Sequence, residues 1–492
     1  ALRLLAAGDL VQNAGALLST AGASIEVESV TGSIVMSDDA LATTGDGAGT
    51  IRYHAAVDLT LGGIDAGTGN VSLVASTGSI VDGGETLTDV AATALSVMAG
   101  VAIGTAADPI ETAVMAIGIE AGAGGVSLTN DGDLAVDSVT ANIDRVLAGG
   151  DSIPLADVST TGVTTIADGS VLLLAADGTL TVNDGNTDGL GIQVGGAGNL
   201  RLEASGAGQN LILNVDLVTG TGIVTLLAQE DVVLASDADI LTSGSMIEVR
   251  ALEGSILLAD ESLIHSGGEN VRATALVDVL LGGIDAGAGT VSVETQLGSV
   301  LDSGDVYTDI VADGYRVIAG NSVGGIGTVD PNALDTEITT VSVFADEGGI
   351  GITDADDIAV GSVGLSLRRV AADESDTEVV DAAQSDLVTG NNGAIVLRSR
   401  AGTVVINDGD DGDGAGINAG GAGNVLIDGE NVDVQADVVS DTGSVSMVSG
   451  TDVTVGSDVT VETTSGSIVI EAADGVVMDD GALLSADQGA VQ

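Results

Sequence analysis

The heptapeptide LGGIDAG occurs at residues 61–67 and again, unchanged, at residues 281–287. The agreement extends beyond the heptapeptide. GSI at residues 78–80 is matched by GSV at residues 298–300, at the same separation. Self-similarity at a fixed spacing is typical of repeat architectures, in which one structural unit stacks on the next. LGGIDAG therefore indicates a long tandem repeat.

The matching phrases keep their order along the chain, while their separation drifts by single residues. VNDG at residues 182–185 returns as INDG at residues 406–409, slightly farther apart than the two copies of LGGIDAG. Near the C-terminus, DGVVMDDGALLS parallels TGSIVMSDDALATT from Thr31 and begins a third copy. Because the sequence begins and ends within a unit, we expect it to be a section of a longer repeat array. We predict one continuous solenoid with a first unit, a second unit and the start of a third, at residues 1–222, 223–446 and 447–492.

A shorter period runs inside each unit, as the related phrases GTIRYH at residues 49–54 and GNVSLV at residues 69–74 show. Apolar residues alternate with polar ones in such stretches, and clusters of Gly, Asp, Asn and Ser separate them, which predicts strands joined by turns. This spacing of roughly 20 residues is too short for a propeller blade of ~40–45 residues. The pattern predicts an all-β fold, a right-handed parallel β-helix (β-solenoid) that forms an elongated rod of tandem repeats, with coils ~4.8 Å apart.

The composition fits a thin core. The chain of 492 residues has 74 Gly and only 3 Pro, 3 Tyr and 1 Phe, and it has no Trp or Cys. Compact cores of this size normally use aromatic rings to fill volume. We therefore expect Val, Ile, Leu and Ala to point inward in stacked ladders, in a core where large rings would not fit. The lack of Cys excludes disulfides and thiolate chemistry.

The charge of the chain bears on its partners. There are 73 Asp and Glu against 11 basic residues, all of them Arg, which gives a formal net charge of −62. A field of this sign repels nucleic acid and anionic lipid and attracts cations. We therefore expect cations as partners, no nucleic acid and no membrane insertion. Because the chain is 45% hydrophobic, its acidity indicates a folded protein with a charged surface rather than disorder.

Several phrases also resemble a known family. The recurring GSI-V phrases, IGTAADPIETAV from Ile103 and GGVSLTNDGDLAV from Gly124 resemble the giant repetitive surface proteins of bacteria, adhesins whose passenger regions are filamentous-haemagglutinin-like β-solenoids. The resemblance covers essentially the whole chain. It implies a secreted, very long fibrous protein at the cell surface, acting in adhesion or matrix building. Its implied partners are copies of itself, neighbouring repeat units and the surface of a host or neighbouring cell.

Two acidic loops are the candidate metal sites. NDGNTDG from Asn183 and its counterpart NDGDDGDG from Asn407 place carboxylates and amide oxygens on Gly-rich turns, a combination that suits a hard cation such as Ca²⁺. Tight turns select the same residue types without any metal, so both interpretations stay open. Ca²⁺ is the only cofactor that the sequence suggests. Its predicted ligands are Asp184, Asp188, Asp408, Asp411 and Asp413.

The sequence raises two alternative functions. Asn186-Thr187-Asp188 resembles one motif of polygalacturonases, which are β-helix enzymes that degrade acidic polysaccharides, but the partner motifs are absent from the sequence. A groove for an anionic sugar would also need basic and aromatic residues, which this chain scarcely has. We therefore predict that the chain is not an enzyme and has no catalytic residues. The other alternative is a subunit that stacks end to end into an extracellular filament or sheath.

Overall fold

The computed structural model describes residues 1–84, 88–146, 149, 151–156, 159–304, 307–326 and 332–492. Regular structure in these residues consists of β-strands, and none of them belongs to a helix. The structure accordingly offers no helix able to cross a membrane within the residues described. The strands of the main sheet are parallel and stack coil on coil in a β-solenoid of about 19 turns. The predicted all-β solenoid is confirmed, while its right-handed winding stays a prediction.

The chain divides into two compact structural units, called the first and second unit from here on, whose bounds differ from those of the predicted sequence repeats. The first comprises Ala1–Asp231, Asp237–Ser245 and Arg369–Thr377, and the second comprises Val232–Ser236, Met246–Arg368 and Glu378–Gln492. Each unit is built mainly of short parallel strands joined by turns. The repeat boundaries at residues 222 and 446 remain a prediction from the sequence.

Most strands are three to six residues long. Those of the first unit are Leu2–Ala6, Leu10–Gln12, Leu17–Ser19, Ile25–Ser29, Ile34–Met36, Leu41–Thr43, Ile51–Ala55, Leu59–Leu61, Gly63–Asp65, Asn70–Ala75, Ile80–Asp82, Val90–Ala91, Ala94–Ala99, Ala102–Ile103, Ile110–Ala113, Ala116–Ala121, Gly125–Asp131, Leu134–Val136, Ser138–Val139, Asn142–Val146, Ser152–Ala156, Thr160–Thr161, Val163–Thr165, Val171–Ala176, Leu180–Val182, Leu190–Val194, Leu200–Ala204, Leu211–Leu213, Asp216–Thr219, Val224–Ala228 and Ile240–Thr242. Those of the second unit are Val232–Leu234, Ile247–Ala251, Ile256–Leu258, Leu263–His265, Val271–Ala275, Val279–Leu281, Gly283–Asp285, Thr290–Thr295, Val300–Asp302, Ile310–Ala319, Leu334–Ala345, Ile350–Asp354, Ile358–Val360, Leu387–Thr389, Ile395–Ser399, Thr403–Ile406, Ala415–Ala419, Val425–Gly429, Asn431–Val434, Asp437–Ser440, Val445–Ser449, Asp452–Val455, Thr460–Thr463, Ile468–Ala472, Gly475–Met478 and Leu483–Ala486. Two further strands, Val363–Val370 and Asp376–Gln384, pair with each other.

Columns of aliphatic side chains form the core. In the first unit, Ile25 lies beside Ile51 of the next coil, and the same column continues through Val71, Leu95 and Ile117. All five are fully buried. Burying one such side chain stabilises a fold by ~1.5–3 kcal/mol, so each added coil contributes to stability. The predicted aliphatic ladder is confirmed.

Two coils nevertheless hold a tyrosine in the core, so the prediction that large rings would not fit is wrong. Tyr53 lies between Val27 and Leu73 of its neighbouring coils, and Tyr315 lies in a different column, between Val291 and Val341. Both rings are fully buried. The Tyr53 hydroxyl donates to Gln12 Oε1 at 3.0 Å, whereas the Tyr315 hydroxyl is buried without a hydrogen-bond partner. A coil of this solenoid can therefore accommodate a ring in place of an aliphatic side chain.

Glycines at one corner let successive coils approach closely. A Cβ at Gly198 would lie 2.4 Å from the carbonyl oxygen of Gly169 in the preceding coil, and one at Gly222 would lie 2.0 Å from the carbonyl oxygen of Gly198. These distances are far shorter than ordinary van der Waals contacts. The high Gly content of the sequence therefore has a steric cause as well as a turn-forming one.

Two-stranded sheets interrupt the coils at matching points of the two repeats. In the first unit, Asn142–Val146 pairs antiparallel with Ser152–Ala156, and Arg145 on this hairpin forms an ion pair with the buried Glu26. In the second unit, Arg272 Nε donates to both carboxylate oxygens of Asp381, at 3.0 and 2.9 Å. The inserted sheet thus supplies the cation in one repeat and the anion in the other.

Candidate metal sites

The first predicted loop joins Leu180–Val182 to Leu190–Val194, and its acids are held within the loop. The Asp184 carboxylate accepts backbone N–H bonds from Asn186 at 3.0 Å, Thr187 at 2.6 Å and Gly189 at 3.1 Å. Desolvation acts in the opposite direction, but these bonds together lower the pKa of Asp184 below its ordinary value. Asp184 therefore behaves as an ionised turn residue.

Asp188 is also bound inside this loop. Its Oδ1 accepts from the backbone N–H of Leu190, and its Oδ2 accepts from the Asn186 amide group, both at 2.9 Å. Within the described residues, neither Asp184 nor Asp188 belongs to a group of three Asp, Glu, His or Cys side chains whose ligand atoms lie within 4.8 Å of one another. The geometry of this loop favours the turn interpretation, and its binding of Ca²⁺ stays a prediction.

The second predicted loop differs, because a buried carboxylate from another coil joins it. One oxygen each of Asp386, Asp411 and Asp413 lies within 4.8 Å of the other two. Asp411 and Asp413 are exposed, whereas Asp386 is buried and accepts the backbone N–H of Gly409 at 3.1 Å. Asp408, the remaining predicted ligand, lies outside the group.

Asp386 was missed because its position in the first repeat carries no side chain. Gly162 occupies the equivalent place, since its carbonyl accepts from Ile119 N just as the Asp386 carbonyl accepts from Val343 N, both at 2.8 Å. The two residues share a left-handed backbone, with φ of 64° at Gly162 and 70° at Asp386. An aspartate at positive φ is uncommon. That substitution, together with Asn186 of the first loop in the place of Asp411, explains why only the second loop assembles three carboxylates.

The charges of this second loop repel one another. Burial, followed by the negative charges of Asp411, Asp413 and Asp408, raises the pKa of Asp386 to about 7. A divalent cation would remove the repulsion, because it would bring the opposite charge to all three carboxylates. Two exposed ligands would leave the rest of the coordination shell to water.

The structure also assembles a group of acids that the sequence did not single out. One oxygen each of Asp82, Asp89 and Glu111 lies within 4.8 Å of the others. Burial, together with the charges of Asp82 and Glu111, raises the pKa of Asp89 to about 9. Burial and Asp82 also raise the pKa of Asp108. These acids lie in separate loops and strands, so no local motif could have revealed the group.

Comparison with known proteins does not assign the chain to a family. No protein-family model, curated protein or solved structure matches this chain. The resemblance to bacterial surface proteins, which was based on repeated phrases, therefore stays a prediction.

Proposed function

We propose that this chain is a structural and adhesive section of a long, extracellular fibrous surface protein. The observation that supports this most strongly is the coil-on-coil register, in which one buried aliphatic column passes from Ile25 through five successive coils to Ile117. A stack whose coils contact only their neighbours gains stability as it grows. Such a fold suits a protein that spans distance.

The acidic surface supports the same proposal. With a formal net charge of −62, the chain repels copies of itself at low ionic strength and attracts cations. Within the second unit, Ca²⁺ bound by Asp386, Asp411 and Asp413 would relieve the repulsion between these three carboxylates. Calcium would then stabilise the fold by binding the folded chain and not the unfolded one.

Cell-surface location is tested with antibodies raised against the purified chain. Intact cells of the source organism should be labelled without permeabilisation, and mild protease treatment of intact cells should remove the label. Labelling that requires permeabilisation would contradict the extracellular role.

Assembly distinguishes the proposal from its alternative, a subunit that polymerises into a filament or sheath. The 492-residue chain should sediment as a monomer at micromolar concentration and show no filaments by negative-stain electron microscopy. Long filaments under these conditions would favour the alternative.

A further inference from the structure

Three acids from different parts of one coil and the next converge in the first unit. Asp82 ends the strand Ile80–Asp82, and Asp89 directly precedes the strand Val90–Ala91. Val90 pairs with Thr112 in the following coil, so Asp89 lies beside Glu111. The backbone N–H of Glu111 donates to Asp89 Oδ2 at 3.0 Å. The solenoid register, rather than a flexible loop, thus fixes Asp89 against Glu111.

Most carboxylate oxygens of this trio are buried without a hydrogen-bond partner. Asp82 is 6% exposed and Asp89 is 1% exposed. Both oxygens of Asp82, Oδ1 of Asp89 and Oε2 of Glu111 are buried with no hydrogen-bond partner. In the part of the chain that the structure describes, no arginine or histidine forms an ion pair with any of the three. Burying unpaired carboxylates is costly, so this group must be neutralised either by bound protons or by a cation.

In the second repeat, the acid that corresponds to Glu111 is paired with an arginine. Asp335 takes the place of Glu111, because its backbone N–H donates to Asp309 Oδ2 at 2.8 Å. There, Arg400 Nη2 reaches both carboxylate oxygens of Asp335, at 2.7 and 2.8 Å.

The first repeat lacks this arginine. Ser399 pairs with Asp354 in the second repeat just as Ala175 pairs with Asn130 in the first. The next residue along the chain is Arg400 in the second repeat and Ala176 in the first. Alanine cannot supply a charge, so Glu111 is left without the cation that its counterpart Asp335 receives.

From this contrast we propose that Asp82, Asp89 and Glu111 bind a divalent cation of the Ca²⁺ type inside the first unit. These residues offer only oxygen atoms as ligands, which Ca²⁺ prefers at 2.3–2.6 Å. Two oxygens on opposite sides of such an ion are therefore about 4.6–5.2 Å apart. The observed grouping within 4.8 Å fits that span. The cation takes the role that Arg400 has in the second repeat. This site stands independently of any extracellular role, and it is separate from the predicted loops.

The test compares Ca²⁺ binding by the chelator-treated full chain and three variants, using equilibrium dialysis and calorimetry. Asp89→Asn removes a ligand. Ala176→Arg keeps all three carboxylates but adds the arginine that the second repeat uses. Asp46→Asn removes an exposed acid of the same unit and is the matched control. We expect one site that weakens at least tenfold in Asp89→Asn and Ala176→Arg and is unchanged in the control.

A second measurement needs no variant. Amide hydrogen exchange of the wild-type chain should slow on addition of Ca²⁺ in residues 88–113, even if the exchange of residues 407–414 does not change. Unchanged exchange in residues 88–113 at millimolar Ca²⁺ would overturn the proposal. Wild-type affinity in both Asp89→Asn and Ala176→Arg would also overturn it, and would mean that protons neutralise the trio. Because cell-surface labelling is measured separately, failure of this site leaves the proposed function standing.

Discussion

Replacing the buried Asp354 by asparagine should stabilise the chain, and increasingly so as pH rises. Asp354 is fully buried in the second unit. Its Oδ2 accepts from the Thr336 hydroxyl at 2.6 Å and from Ile338 N at 3.1 Å, and its Oδ1 accepts from Asp356 N at 3.1 Å. The first repeat has Asn130 at this place, accepting from the equivalent hydroxyl and backbone N–H at 2.9 Å each. The fold therefore already accommodates the amide.

The magnitude follows from the pKa of Asp354, which burial raises from an ordinary value of 3.8 to about 6. The folded chain keeps a proton that the unfolded chain has lost, so stability falls as pH rises from 3.8 to 6 and is level above that. At ~1.4 kcal/mol for each pKa unit, the total is about 3 kcal/mol. Asparagine removes this loss but cannot accept the Asp356 N–H bond, which costs about 1 kcal/mol. The net gain above pH 7 should be about 2 kcal/mol.

The assay is urea denaturation of wild type and Asp354→Asn at pH 5, 6, 7 and 8, followed by circular dichroism. Subtracting the free energy of unfolding of wild type from that of Asp354→Asn cancels the effect of the other charges. This difference should grow by roughly 1–1.5 kcal/mol between pH 5 and 7. The reverse change, Asn130→Asp, is the control. It puts a carboxylate where the Asn130 amide donates to the carbonyls of Gly132 and Asp133, at 3.1 and 3.2 Å, so it should destabilise the chain at pH 8. A pH-independent difference for Asp354→Asn would refute the reasoning.

Two further pairs of variants test the packing of the coils. Gly198→Ala places a Cβ 2.4 Å from the carbonyl oxygen of Gly169 and should cost ~1–3 kcal/mol in urea denaturation, whereas Gly8→Ala, with open space around it, should cost much less. Equal effects of the two changes would argue against close coil contact at this corner. Tyr315→Phe removes a buried hydroxyl that has no hydrogen-bond partner and should be neutral or stabilising. Tyr53→Phe breaks a buried hydrogen bond and should cost ~1–3 kcal/mol, so a larger loss for Tyr315→Phe would contradict the assigned contacts.

The fold was predictable because its signals are local and repeated. Alternation of apolar and polar residues specifies strands, Gly and Asn specify turns, and a period of about 20 residues specifies coils that stack in parallel. Stacking adjacent coils in register then places aliphatic residues in columns, as in Ile25, Ile51 and Val71. The return of LGGIDAG at residues 281–287 indicated the long tandem repeat, and the shorter period inside it indicated the solenoid.

The candidate sites depended on contacts between coils, which no local pattern encodes. Asp188 and Asp413 hold equivalent places in two similar loops, yet only Asp413 belongs to a group of three carboxylates, because Asp386 replaces Gly162 one coil earlier and Asp411 replaces Asn186. The trio that includes Asp82 likewise depends on the register between coils and on the lengths of the intervening loops. The sequence by itself determined the repeating strands and their aliphatic core, since a strand's burial pattern is a property of neighbouring residues. Only the tertiary structure decided which acids lie close together, because that depends on the register between coils and on the path of each loop.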